Sequence, residues 1–132
     1  MKVLREIQGP AGTLEVLLDK PADRRVTGEG LLATGSDSGI RAAVVLGHPH
    51  PQRGGTMHTK GIYHTAKGLS RIGCVVLRFN FRGIGKSEGV WDEGDGEKAD
   101  FRAALDFMAA EYPGVPLWAG GMSFGSWGGM NV

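Results

Sequence analysis

The sequence predicts an α/β protein: a mostly parallel sheet with an antiparallel N-terminal edge and flanking helices. Three observations carry this reading. "AAVVLG", "CVVLRFN" and "VPLWAGG" are continuous apolar runs, as in parallel strands covered on both faces. Two helical patterns separate them, so the order strand, helix, strand, helix, strand implies right-handed crossovers. In "TLEVLLD", Leu14, Val16 and Leu18 alternate with other residues, as in a half-buried strand outside the parallel core.

Taken in order, "TLEVLLD" is expected to pair with "VLREI" before it or with the segment near "EGLLAT". Residues 20 to 41 form a hairpin or a loop and show no chemistry. The first helical pattern places Ile62, Ala66 and Leu69 on one face, with Gly73 as its stop. In the second, Phe101, Ala104, Leu105 and Met108 follow the i, i+3, i+4, i+7 spacing. Asp95 is its expected N-cap and "YPG" its terminator. Ligands on such sheets bind at the carboxyl ends of the strands, which directs attention to the segments after Leu46, Phe79 and Ala119.

Bulk properties narrow the function classes. The chain has 132 residues, read as a single domain: 1–41 the N-terminal strands and hairpin, 42–132 the α/β core. Fifteen Lys and Arg balance fourteen Asp and Glu, and no basic run would draw nucleic acid or an anionic membrane. The lone cysteine, Cys74, cannot form an intramolecular disulfide, "MKVLREIQGP" lacks a signal core, and no apolar run is long enough to span a bilayer. A cytoplasmic protein is the expectation. The 23 glycines cluster at the ends of apolar segments and read as turns.

After the last apolar strand, Gly121, Ser123 and Gly125 form G-x-S-x-G, at the start of what "SFGSWGGMNV" suggests is a helix. A serine nucleophile must sit on a sharp strand-to-helix turn, where glycine two residues to either side relieves the crowding. The same turn aims the Phe124 N–H at a developing oxyanion. Chance also produces this pattern in a glycine-rich chain; its position after a buried strand favours a nucleophile elbow.

The loop after Leu46, "GHPHPQRGGTMHTKG", is where such a site finds its second oxyanion donor. Pro49 and Pro51 have no N–H, which leaves that of His50 between them. The four histidines, His48, His50, His58 and His64, raise the question of a metal. His-Pro-His puts two imidazoles two residues apart with no Cys, Asp or Glu in the loop, so no metal site is expected, and His58 and His64 are read as polar loop and helix-face residues.

"NFRGIGKSEG" contains a decoy. Gly85-Lys86-Ser87 imitates the end of a P-loop, but Asn80 replaces its first glycine and a turn-rich stretch follows. The dinucleotide pattern fails at Glu88. The segment is read as a structural loop bordering the cleft, with Arg82 making local hydrogen bonds. Cys74 reads as a small core residue, and Met57, Met108, Met122 and Met130 as packing or rim residues.

From Ala42 to Val132 the sequence resembles the α/β-hydrolase superfamily, in particular its short bacterial members without a large lid domain. The resemblance is carried by "HPHP" and "GG" at 48 to 55, "LRFNFRGIGKSEG" at 77 to 89, "DEGDGEKAD" at 92 to 100 and "GMSFG" at 121 to 125. It implies that Ser123 is the nucleophile, that Phe124 N–H and the His50 region form the oxyanion hole, and that the reaction hydrolyses an ester, thioester or amide without a cofactor. The substrate would be a small-molecule ester, thioester or peptide. Asn80 departs from the Asp of many relatives, which bears on loop anchoring.

The second departure concerns the triad, which runs Ser, then Asp or Glu, then His. "SWGGMNV", after Gly125, contains neither acid nor histidine. The expectation is the N-terminal part of an α/β-hydrolase fold, shortened after the elbow. Activity of the chain alone would need a substitute base, His48 or His50, or a histidine from a partner subunit. In the superfamily's strand order "VPLWAGG" becomes an exposed apolar edge, so the alternative is a non-catalytic module that forms a homodimer through that edge.

Overall fold

The computed structural model describes residues 2–21, 39–50 and 54–121. Seven elements follow in order: β1 (Lys2–Gly9), β2 (Gly12–Asp19), β3 (Ala43–Gly47), α1 (Lys60–Arg71), β4 (Val75–Phe79), α2 (Asp95–Glu111) and β5 (Leu117–Gly121). They build one sheet of order β1-β2-β4-β3-β5. β1 and β2 form an antiparallel hairpin, β2 runs antiparallel to β4, and β3 lies between β4 and β5, parallel to both. "VLREI" is therefore the partner of "TLEVLLD". The alternative partner, "EGLLAT", lies outside the described residues.

Side-chain alternation sends the strands' residues to two cores. Leu14, Val16 and Leu18 of β2 join Ala43, Val45, Val75, Leu77 and Phe79 on the face covered by Phe101, Ala104 and Met108 of α2. Here Phe79 meets the rings of Phe81 and Phe101 edge-on, with centroids 4.8 and 5.5 Å apart. Such pairs add about 0.5–1.5 kcal/mol beyond their buried area. On the other face Val44, Leu46 and Val76 pack against Ile62 and Ala66 of α1, with Cys74 buried among them and Leu69 alongside. Burial pushes the Cys74 thiol up from its ordinary value.

The helix ends have local causes. α1 closes in a Schellman motif: the Gly73 N–H donates to Ser70 O and the Cys74 N–H to Leu69 O, with Gly73 at φ 102°. The expected stop is where the sequence placed it. For α2, Asp95 is the first helical residue and not the N-cap, which is Gly94. The capping carboxylate comes from Glu97, which accepts the Asp92 N–H at 2.9 Å and the Gly94 N–H at 3.0 Å. An acid at the third helical position can reach back to those orphan amides, which makes the Asp95 side chain dispensable there. At the far end Tyr112 caps α2, just before Pro113 and Gly114.

β3 and β4 are buried along their whole length. β5 departs from the expectation of two covered faces. Leu117 and Trp118 are 39% and 53% exposed. Among the described residues, β3 is its only strand neighbour.

Candidate active site

Parallel register fixes what meets at the carboxyl end of the sheet. Gly47, the last residue of β3, is the partner of Gly121, the last residue of β5, and Leu46 is the partner of Gly120. The loop that starts at His48 therefore leaves the sheet level with the first glycine of the G-x-S-x-G motif. Ser123, Phe124 and Gly125 lie outside the described residues; Gly121 is the last residue of β5.

His48 is fully buried, its ring edge-on to Phe81 at 4.8 Å between centroids. Nε2 accepts the Phe81 N–H at 3.1 Å, and Nδ1 lies 2.7 Å from the Pro49 carbonyl oxygen, to which it donates. That pairing requires the neutral Nδ1–H tautomer. Desolvation lowers the His48 pKa to about 4, outweighing the Pro49 hydrogen bond, which raises it. This geometry contradicts the expectation that His48 could serve as a substitute base. A general base needs a lone pair within reach of the serine hydroxyl, and the one on Nε2 is engaged by a backbone amide. His48 instead ties the loop after β3 to the chain leaving β4.

His50 stands on the same loop. Its carbonyl accepts the Gly55 N–H at 3.1 Å, and its ring lies 4.9 Å from that of Trp91. Gly55 is buried so closely that a β-carbon there would sit on the Pro49 carbonyl. Gly55 is thus a packing requirement of the turn, whereas Gly54 has open space around it and stands at φ 86°. His58 and His64 are exposed. Among the described residues, no three His, Cys, Asp or Glu side chains gather as metal ligands.

Beyond Gly55, the backbone of Met57 is held at both polar atoms. Its N–H donates to Asn80 Oδ1 at 2.8 Å, and its carbonyl accepts from Arg78 Nη1 at 3.1 Å. Arg78 is buried and pairs with Asp19 of β2, its Nε 2.8 Å from Oδ2 and its Nη2 3.3 Å from Oδ1. Asn80 donates through Nδ2 to Glu15 Oε1 at 2.9 Å. Sequence reasoning missed Asp19, Glu15 and Arg78 altogether. A signal existed: an arginine inside the apolar run "CVVLRF" must have a carboxylate partner if that strand is buried.

The loop after β4 is structural, as its failed phosphate motifs implied. Ser87 Oγ donates to the Asn80 carbonyl and accepts the Glu15 N–H, the Lys86 N–H donates to Glu15 Oε1, and Glu88 exchanges hydrogen bonds with the Thr13 backbone. The segment is stitched along β2, so its amides do not form a phosphate cradle. Arg82 does more than local bonding: its Nη2 reaches Asp100 Oδ1 and the Gly96 carbonyl, each at 2.9 Å, which fastens the loop to α2. The hydrogen bond to Asp100 is the main cause that holds the guanidinium's pKa above its ordinary value.

A layered sheet with helices on both faces, and a G-x-S-x-G motif that begins at the end of β5, level with this loop, fit the α/β-hydrolase class. The family model described as serine aminopeptidase S33 matches residues 39–132, and the chain belongs to that family. An uncharacterized protein of Rickettsia prowazekii (strain Madrid E) is 41% identical over 105 residues, 79% of this chain and 44% of that protein. A solved α/β serine hydrolase homologue from Coxiella burnetii is 35% identical with a TM-score of 0.81, covering 96% of this chain and 54% of its own. A structure from Xanthomonas campestris, named as an α/β serine hydrolase without lid, is 33% identical with a TM-score of 0.80, covering 96% and 52%. The chain thus spans about half the length of these relatives.

Proposed function

We propose that the chain carries the nucleophile of a serine hydrolase that acts on a carbonyl compound through an acyl-enzyme at Ser123. The observation that carries this reading is the Gly47–Gly121 register, which sets the start of the serine motif beside the His48–His50 loop. In the proposed reaction Ser123 Oγ attacks the carbonyl carbon while a base takes its proton. The bond to the leaving group then breaks, the leaving group accepts that proton, and water releases the acid. The Phe124 N–H and the His50 region hold the oxyanion. With His48 engaged, the base is sought at His50 or on a partner subunit. The substrate class is a small-molecule ester, thioester or peptide in a cytoplasmic setting, and the chemistry uses no cofactor.

Intact-mass detection of fluorophosphonate labelling tests this, with Ser123→Ala as control. Labelling that disappears in the variant supports an activated serine. A folded sample that never labels sinks activity of the chain by itself.

One observation favours a second reading, a non-catalytic module that self-associates. β5 presents Leu117 and Trp118 at a sheet edge with no strand partner among the described residues. Sedimentation of the purified chain decides it: a homodimer abolished by Trp118→Lys supports the edge as interface, and a monomer at all concentrations argues against it. Among the described residues, no helix is long and apolar enough to cross a membrane.

A further inference from the structure

A side chain of β4 and that of the residue after it reach the backbone of one residue of the β3–α1 loop, Met57, and each is backed by a carboxylate from β2. Asp19 pairs with Arg78, and Arg78 donates to the Met57 carbonyl. Glu15 accepts from Asn80, and Asn80 accepts the Met57 N–H. The spacing follows from strand geometry. Residues 78 and 80 share one face of the β4 chain, residues 15 and 19 share that face of β2, and the antiparallel register with Leu17 opposite Arg78 brings the two pairs together. Within the loop, the Gly55 N–H holds the His50 carbonyl. The Met57 bracket is thus two residues from the turn that sets His50.

We infer that Arg78 and Asn80 are positioning residues for the His48–His50 loop, with Asp19 and Glu15 fixing their orientation. The assignment of that loop to an oxyanion hole rests on the function proposed above; the positioning itself does not. Asparagine is required at position 80 because it must accept from one neighbour and donate to the other. An aspartate would keep the Met57 contact but face Glu15 Oε1, with two like charges where Asn80 now makes a 2.9 Å hydrogen bond. A lysine at 78 would keep the charge opposite Asp19 but lose the fork that serves Asp19 and Met57 together.

Asn80→Asp, Asn80→Asp with Glu15→Gln, and Arg78→Lys are the variants, read by residue-resolved amide exchange and by the rate of fluorophosphonate labelling. For Asn80→Asp, the amides of Gly55 and Met57 should exchange at least tenfold faster while those of α2 keep their rates, and labelling should slow by a similar factor. Adding Glu15→Gln removes one of the two facing charges and should recover part of both losses; recovery is partial because the same Oε1 also accepts the Lys86 N–H, which an amide nitrogen in its place cannot do. Arg78→Lys should also speed exchange at Gly55 and Met57, and it serves as the test if Asn80→Asp fails to fold. Unchanged exchange at Gly55 and Met57, or acceleration spread evenly over the chain, would overturn the inference. If exchange responds as expected while the unsubstituted chain never labels, positioning stands and activity of the chain by itself fails.

Discussion

The backbone amide of Phe81 donates to Nε2 of His48 at 3.1 Å, so a side chain at the end of β3 is held by the peptide that follows β4. The acceptor lone pair exists only in neutral imidazole. Protonation would break this bond and place a charge in a fully buried site.

A pH dependence of stability follows. The His48 pKa is about 4 in the folded chain against 6.5 for an ordinary histidine. Between those values the unfolded chain binds the proton and the folded one does not. Stability is therefore whole above pH 6.5 and falls as pH drops toward 4, by about 3 kcal/mol for a shift of this size. Urea unfolding at about pH 7 and about pH 4.5, either side of most of that window, should show a smaller acid loss in His48→Asn than in the unsubstituted chain; equal losses would remove His48 as the cause.

Gly55→Ala should damage the site more than the fold. Its β-carbon would sit on the Pro49 carbonyl, so the loop must open and release the Gly55–His50 hydrogen bond. We expect a stability loss of about 1–3 kcal/mol, the range for overpacking. Ser123 labelling should drop at least tenfold at a temperature where the variant is folded. Wild-type labelling in a folded Gly55→Ala would show that this turn does not set the donor.

Asp100→Asn tests the clamp between the β4–α2 loop and α2. Asp100 is fully buried and accepts the Arg82 N–H as well as its guanidinium, which keeps 11% exposure. Breaking such a pair costs about 2–3 kcal/mol, toward the low end for buried pairs because water reaches the arginine. Chemical denaturation measures it, and a change under about 0.5 kcal/mol would mean that the pair only replaces hydration it could regain.

Phe101→Ala should remove two aromatic ring contacts and open a cavity under α2, at a cost of about 3–5 kcal/mol. Differential scanning calorimetry would register this as a single, lower transition. An intact melting temperature would show that α2 is not tied to the sheet through this ring.

What local physics dictates was legible in the sequence. Period-2 alternation marked β2, unbroken apolar runs marked β3 and β4, and Gly73 marked the end of α1, because each depends on residues within one turn or one strand. The failure of the GKS stretch as a phosphate loop was equally local. The Asp95 cap was misplaced because the helix starts one residue earlier than a capping aspartate requires: Gly94 is the N-cap, and Glu97 reaches back to the Gly94 N–H. The commitment of both His48 nitrogens and the bracket of Arg78 and Asn80 on Met57 could not be read in advance. Apart from the Nδ1 bond to the adjacent Pro49, they join positions 21 to 65 residues apart, and strand register decides which side chains meet. The sequence by itself determined which residue types could perform the chemistry and on which loops they stand. Only the tertiary structure decided that His48 is occupied by backbone partners, because an imidazole's availability depends on what occupies its lone pair.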